Sequence, residues 1–350
     1  MNRKRFILIA LIALLVLALG ACQPEADVVE EVEEAATEVS EAATDADEAV
    51  EEEDEVVEPE DLDVEDEPED VEEVTETLGT EDNPIVMSFV PSGDTEEILV
   101  SGDTLADMIS ERTGLTVVSN VGVDYAAVRE AMGAGQAHIG WMNTFNYILA
   151  NEIYGVDAAL VTQRFGSTFY NGQINVNADA GIETLEDLRG KVMCWTDPGS
   201  TSGYIIPRIM LQANGIDPDA DFAETLEAGS HPNVIIQVYN GECDAGATYA
   251  DARSAVEEDF PDVTEVVEVL AVTTDIPNDN VAFIADFPAD MRQSIVDALL
   301  DIAATEEGQE ALNNLYSIEG LEETDDSFYD PFRADLSRAG IDIEELATGG

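Results

Sequence analysis

The chain has 350 residues, with 78 Asp and Glu against 13 Lys and Arg, for a formal net charge of −65. Such a surplus argues against nucleic-acid binding, which needs a basic footprint, and against docking on an anionic membrane through a polybasic face. At about 150 residues per unit, the length allows roughly two globular bodies, each able to bury its own core. The charge is unevenly placed. Glu25 to Asp82 contains 30 acidic residues and no Lys or Arg, whereas residues 83–350 carry 48 acids and 10 bases, a balance of −38.

Residues 1–22 read as an export signal. Arg3, Lys4 and Arg5 precede an unbroken apolar run from Phe6 to Leu19, followed by Gly20, Ala21 and Cys22. At about fourteen residues the run is short for a bilayer span and fits a signal-peptide core. Small residues before a cysteine resemble the lipobox of bacterial lipoproteins, which implies cleavage before Cys22 and a diacylglycerol on its sulfur. An ordinary signal peptide that contains a cysteine is the alternative. Residues 23–82 hold no aromatic residue and dense like charge. Too little apolar surface is available to offset the ordering entropy, so this segment reads as a disordered acidic tether.

From Asn83 the pattern turns α/β. The expected elements are a strand over 84–90, a helix from Thr95 to Arg112 closed by Gly114, a strand over 115–119, a helix over 125–132 and a strand over 138–142. The rhythm restarts with a short helix at 182–188, a strand at 191–195, helices at 203–214 and 232–239, and strands at 244–248, 266–272 and 280–284. One long helical stretch is expected over 289–315. Strands alternating with helices imply mostly parallel sheets with crossover helices. Two such units are expected: residues 83–175 with 275–350, and an inserted 176–274.

Residues with chemistry gather at strand-to-helix junctions. Asp197-Pro198-Gly199-Ser200-Thr201-Ser202-Gly203-Tyr204 ends one strand and opens a helix. Free N–H groups and the positive end of the helix dipole favour an anion there, and three hydroxyls can donate to it. One hydroxyl would be enough for a cap. A Walker loop is excluded because no Lys follows the glycine. The second junction, Gly229-Ser230-His231-Pro232, offers His231 as an imidazolium or as a single N–H donor. His138, at a strand start, reads as structural.

The run Asp-Pro-x-Ser-Thr-Ser-Gly-aromatic, the Ala-Gly-x-His about thirty residues on, and Gly241-Glu242-Cys243-Asp244-Ala245-Gly246-Ala247 resemble the phosphate/phosphite/phosphonate-binding proteins of ABC importers. Val90-Pro91-Ser92, Val123-Asp124-Tyr125, Ile139-Gly140-Trp141, Ile276-Pro277-Asn278-Asp279 and Asp330-Pro331-Phe332-Arg333 extend the likeness over most of 84–335. The resemblance implies the two-lobe type II periplasmic-binding fold, an interlobe cleft, and hinges near 174–178 and 271–276. It implies that Ser200, Thr201, Ser202 and His231 hold the phosphonate oxygens, that Tyr125 and Tyr170 line the cleft, and that Asp251 and Asp279 face an ammonium on the ligand. Asp251 stands where a Glu is often found, which leaves the substituent open.

The implied protein is a lipid-anchored, monomeric solute-binding protein with no cofactor or metal. It faces the periplasm or cell exterior and delivers a phosphorus oxyanion to an ABC permease and its ATPase. An extracytoplasmic sensor with the same fold is a second reading. A hydrolase using Ser200 or Ser202 with His231 is a third, but it lacks a Gly-x-Ser-x-Gly elbow. Neither unit supplies a clear cation for the anion, Arg208 and Arg253 being the nearest in sequence. Cys194 and Cys243 could pair in an exported protein, but the strand reading offsets them by roughly 8 Å, beyond disulfide reach. With −38 on the body, salt is expected to help an anion bind by screening.

Overall fold

The computed structural model describes residues 77–347. The expected signal segment, Cys22 and residues 23–76 of the expected tether lie outside the described residues. The folded body begins before Asn83. Gly79 is buried, its carbonyl accepts from Thr116 N–H at 2.8 Å, and Leu78 packs on the core.

The first half runs β1 (Ile85–Phe89), α1 (Thr95–Thr113), β2 (Val117–Val121), α2 (Tyr125–Gly133), β3 (Ile139–Met142), α3 (Thr144–Tyr154) and β4 (Asp157–Gln163). Helix α1 shows how the sequence sets these limits. Asp94 accepts from the Glu96 and Glu97 N–H groups, Arg112 stands in the last turn, and Gly114 closes the helix at φ 73°. Its face of Ile98, Leu105 and Ile109 is buried. The middle of the chain holds β5 (Phe169–Asn177), β6 (Val192–Trp195), α4 (Ile206–Ala213), β7 (Glu224–Glu227), α5 (His231–Tyr239), β8 (Ala245–Tyr249), α6 (Val263–Val266) and β9 (Val267–Pro277). After it come β10 (Asn280–Phe283), α7 (Ala289–Ala303), α8 (Glu306–Tyr316), β11 (Gly320–Glu323), α9 (Asp330–Arg338) and α10 (Ile343–Ala347). The expected single helix over 289–315 is two helices, because Thr305 caps a second start by accepting from Gly308 N–H.

Two sheets result, ordered β11-β4-β10-β3-β1-β2 and β7-β6-β8-β5-β9. This is the two-lobe type II periplasmic-binding fold. Each sheet is mixed. β1 to β3 run parallel, as do β6 to β8, whereas β10, β4 and β11 in one sheet and β5 and β9 in the other pair antiparallel. β4 and β10 take the chain out of the first sheet and back to it, and β5 and β9 begin and end the second, the links from β4 to β5 and from β9 to β10 carrying no helix.

The chain leaves the first sheet after Gln163 and returns to it at Asn280, so the second lobe spans 169–277 rather than 176–274. The expected hinges at 174–178 and 271–276 lie within the paired β5 and β9, which run together from Phe169 opposite Pro277 to Asn177 opposite Val267. The polar residues at 175 and 177 are not a lobe boundary. Asn175 donates to Thr248 Oγ1 and Asn177 to Val238 O, each at 2.8 Å.

One core fills the first lobe, with Phe89 stacked on Trp141 at 5.6 Å. The second lobe has separate clusters around Trp195 and around Val234 and Ile235. The cysteine expectation is corrected here. Cys194 and Cys243 are disulfide-bonded, with their Cα atoms 5.9 Å apart. Cys243 lies in the turn before β8 and not on the strand, so the strand-spacing estimate does not apply to it. Closing a loop with a sequence separation of 49 restricts the unfolded chain by about 4 kcal/mol. His138 is structural as expected, its Nδ1 accepting from Val86 N–H at 3.0 Å.

Candidate functional site

The two junctions singled out in the sequence meet between the lobes. Beyond β6 the chain turns at Ser200, whose Oγ accepts from Gly203 N–H at 3.1 Å and caps a π-helical turn, Thr201–Ile205, that leads into α4. Such π-turns are frequent at functional sites. Gly203 is required for close approach. A Cβ there would lie 2.0 Å from Thr196 Oγ1 and 3.1 Å from the His231 ring.

His231 opens α5 with Pro232 behind it and is 3 % exposed. Its Nδ1 accepts from Tyr249 N–H at 3.1 Å, which puts the ring proton on Nε2, 3.4 Å from Ser200 Oγ. Burial and the nearby Arg164 charge hold its pKa down at about 3. The imidazole is therefore neutral and serves as a single N–H donor. The tautomer also disfavours a Ser-His nucleophile pair, because the lone pair that would take the Ser200 proton faces Tyr249 instead.

The first lobe and the return crossover supply Tyr125 and Asp279 to the opposite wall. Tyr125, capped into α2 by Asp124, is buried, and its Oη has no partner among the described residues. From the second lobe, Tyr170 near the start of β5 also reaches the cavity, and burial raises its phenol well above the usual range. Asp279, on the return crossover, is 8 % exposed, and burial pushes its pKa up to about 6 despite Arg164 nearby. Together with Ser92, Asn143, Arg164, Tyr249 and the Ser200, Ser202 and His231 group, they enclose a cavity of about 20 Å³. It is room for one or two water-sized spheres.

Six of the eight expected ligand residues therefore share one cavity: Ser200, Ser202, His231, Tyr125, Tyr170 and Asp279. The other two do not. Thr201 faces the first lobe, where its Oγ1 accepts from Asn143 Nδ2 at 2.8 Å and from Phe145 N–H at 2.9 Å. Asn143 also donates to Gly199 O at 2.8 Å, and His231 N–H to Ser92 O at 3.1 Å, so these bonds join the lobes. Asp251 lies outside the cavity with its side chain 67 % exposed, 3.6 Å from Arg253 in an ion pair. Tyr249, two residues earlier on the end of β8, occupies the wall instead.

The cations nearest in sequence are also elsewhere. Arg208 bonds Asp219 at 2.7 Å and lies over Tyr204, and Arg253 bonds Val267 O. Arg164, which sequence reading passes over, lines the cavity in their place. The Phe165-Gly166 turn beside it is the one local signal available. No cluster of His, Cys, Asp or Glu suited to a metal occurs among the described residues, and none of their helices is long and apolar enough to cross a membrane.

Residues 87–329 match the family model described as ABC transporter, phosphonate, periplasmic substrate-binding protein. The chain is 31 % identical over 179 residues to the phosphate-import protein PhnD of Mycolicibacterium smegmatis, an alignment spanning 47 % of this chain but only 54 % of that relative. It is 25 % identical over 248 residues to the phosphonates-binding periplasmic protein of Escherichia coli, covering 69 % of each. Its fold matches a binding protein component of a Pseudomonas aeruginosa ABC phosphonate transporter, with a TM-score of 0.68 and 21 % identity over 73 % of this chain and 86 % of that one. PhnD1 from Prochlorococcus marinus, solved with methylphosphonate, gives a TM-score of 0.67 and 15 % identity over 74 % of this chain and 98 % of that one. The chain belongs to the periplasmic substrate-binding family of phosphonate ABC transporters.

Proposed function

We propose that the protein captures a small phosphorus oxyanion between its lobes and delivers it to an ABC permease, tethered to the membrane through a lipid on Cys22. The observation that carries the ligand class is the meeting of Ser200 and Ser202 at one helix start with the His231 Nε2–H at another, around a cavity that also holds Arg164. Hydroxyl, imidazole and phenol donors in a dry cavity suit the oxygens of a tetrahedral anion.

An aminoalkyl substituent has less support. Asp251 does not face the cavity, which leaves one carboxyl, Asp279, to answer an ammonium. We therefore expect phosphite, phosphate and methylphosphonate to bind more tightly than 2-aminoethylphosphonate. Calorimetry with these four ligands on the purified protein tests the assignment, and no binding to any of them would sink it. Preference for the aminoethyl compound would overturn this ranking.

Binding proceeds by lobe closure about the crossovers at 164–168 and 278–279, the ligand stabilising the closed form by its differential contacts. In this reading Thr201 acts on closure and does not touch the ligand. Thr201→Val keeps the shape but removes the acceptor for Asn143 and Phe145. Leaving the Phe145 N–H unpaired only when the lobes are closed costs about 1–3 kcal/mol, or roughly 5- to 150-fold in affinity. The loss should be the same factor for every ligand. A change in the ranking of ligands would instead place Thr201 against the anion.

A further inference from the structure

Arg164 stands out as a buried cation that is in none of the ion pairs among the described residues. It follows β4 at the first crossover, where its N–H and C=O bond Ser167 O and N–H at 2.9 and 3.0 Å across the two-residue turn Phe165-Gly166. Both turn residues have positive φ, 53° and 70°, as the tight hairpin geometry demands. A bulky residue rarely adopts that conformation, and Phe165 does so while largely exposed. The turn fixes where the guanidinium goes.

The residue is buried, only 6 % exposed. Its guanidinium lies 4.8 Å from the Tyr249 ring centroid and 5.7 Å from that of Tyr170. Its Nε has no hydrogen-bond partner among the described residues, and none of the ion pairs among them includes it. Aromatic faces offset part of the cost of burying a charge, but its N–H donors still need acceptors. The groups facing it are Asp279, His231, Tyr170, Tyr249 and Tyr316, of which only Asp279 can carry charge near neutrality.

The position matters as much as the charge. Arg164, Ser92 and Tyr249 line both the small cavity and a groove of about 710 Å³ beside it. Arg164 is the only Arg or Lys on either lining, and Asp94, Glu97 and Asp259 line the groove. An anion coming in through that acidic groove meets its first fixed positive charge at Arg164.

We infer that Arg164 is a specificity-determining residue, whose planar guanidinium pairs with two oxygens of the bound oxyanion and supplies the counter-charge that the rest of the cleft lacks. This rests on the phosphorus-oxyanion reading above. Arginine suits the task because its fork matches two oxygens at once, which a lysine ammonium cannot do. In this role it selects ligands with at least two unesterified oxygens on phosphorus.

Titration calorimetry of phosphite, phosphate and methylphosphonate with the full chain, the Arg164→Met variant and the Arg164→Lys variant tests it. Arg164→Met keeps the length and the packing against the tyrosines but removes the charge. It should weaken binding of each ligand at least 30-fold, while the thermal midpoint without ligand stays level or rises. Arg164→Lys, which keeps the charge and loses the fork, should weaken binding about 5- to 10-fold. Wild-type binding with either variant within threefold of it would overturn the inference and leave the ligand class standing. Failure of the wild type to bind any of the three would fell the ligand class first and this role with it. Should Arg164→Met not fold, the Arg164→Lys result decides.

Discussion

Between pH 7 and 9 the affinity for phosphite, phosphate or methylphosphonate is expected to fall, with the slope approaching tenfold per pH unit toward pH 9, and Asp279→Asn is expected to flatten that slope. Asp279 faces Arg164 and the phenols of Tyr125, Tyr170, Tyr249, Tyr316 and Tyr329, and burial lifts its pKa to about 6. Above that value the free protein holds a carboxylate. The phosphorus oxyanion, whose second proton leaves near or somewhat above neutrality, has lost that proton as well toward pH 9. Two such anions pack against one another in a dry cavity only if one proton lies between them, so binding takes up about one proton. Linkage then sets the limiting slope at one decade per unit, since each unit is worth about 1.36 kcal/mol. The carboxamide of the variant is neutral at every pH and donates through its NH₂ group, so only the titration of the ligand remains.

The same group gives a check without ligand. Its folded pKa is raised above the ordinary carboxylate value of about 3.9, so ionising it penalises the folded state. Stability from this residue is greatest below about pH 4, is lost as pH rises to about 6, and is reduced by on the order of 3 kcal/mol above that. Asp279→Asn should therefore be the more stable protein at pH 8. Calorimetry in buffers of different ionisation enthalpy counts the protons, and an affinity flat from pH 6.5 to 8.5 in the wild type would dispose of the shared proton.

The extent to which this site can be read from sequence follows the distance over which each part is specified. Ser200 and Ser202 are visible because a hydroxyl at a helix start acts through its own backbone, within a few residues. His231 is visible for the same reason, although its protonation is not. The neutral form is set by Tyr249 N–H from another strand. Arg164 is hidden because its burial depends on the ring of Tyr249, brought in from the far strand β8, as well as on that of Tyr170. Asp251 and Tyr249 show how short the margin is. A left-handed turn at Asp251, φ 62°, ends the strand and sends the acid outward. Helix α3 carries no amphipathic signal, as its first seven residues are all buried, and this obscures the boundary before β4. The acidic excess is plain from composition alone. Its meaning is local: a body at −38 binds an anion only where N–H groups and one guanidinium outweigh the general field.

His231→Ala is expected to weaken oxyanion binding by roughly 10- to 150-fold, with the pH profile shifted in height and unchanged in shape. The magnitude comes from the loss of one N–H donor to a charged acceptor, about 1.5–3 kcal/mol. The variant also leaves the Tyr249 N–H without its acceptor. That bond lies within the second lobe whether the cleft is open or closed, so its loss of about 1–3 kcal/mol appears in stability and not in affinity. The profile keeps its shape because a histidine whose pKa is held at about 3 does not titrate between pH 5 and 9. Its folded pKa lies below the ordinary value of about 6.5, so a neutral His231 penalises the folded state as pH falls from there toward 3. The variant should therefore lose less stability than the wild type on acidification. Binding measured from pH 5 to 8 separates the two forms of the ring. A wild-type affinity that climbs as pH drops through 6.5, with the climb missing in His231→Ala, would mean that imidazolium holds the anion and that the neutral donor assignment is wrong.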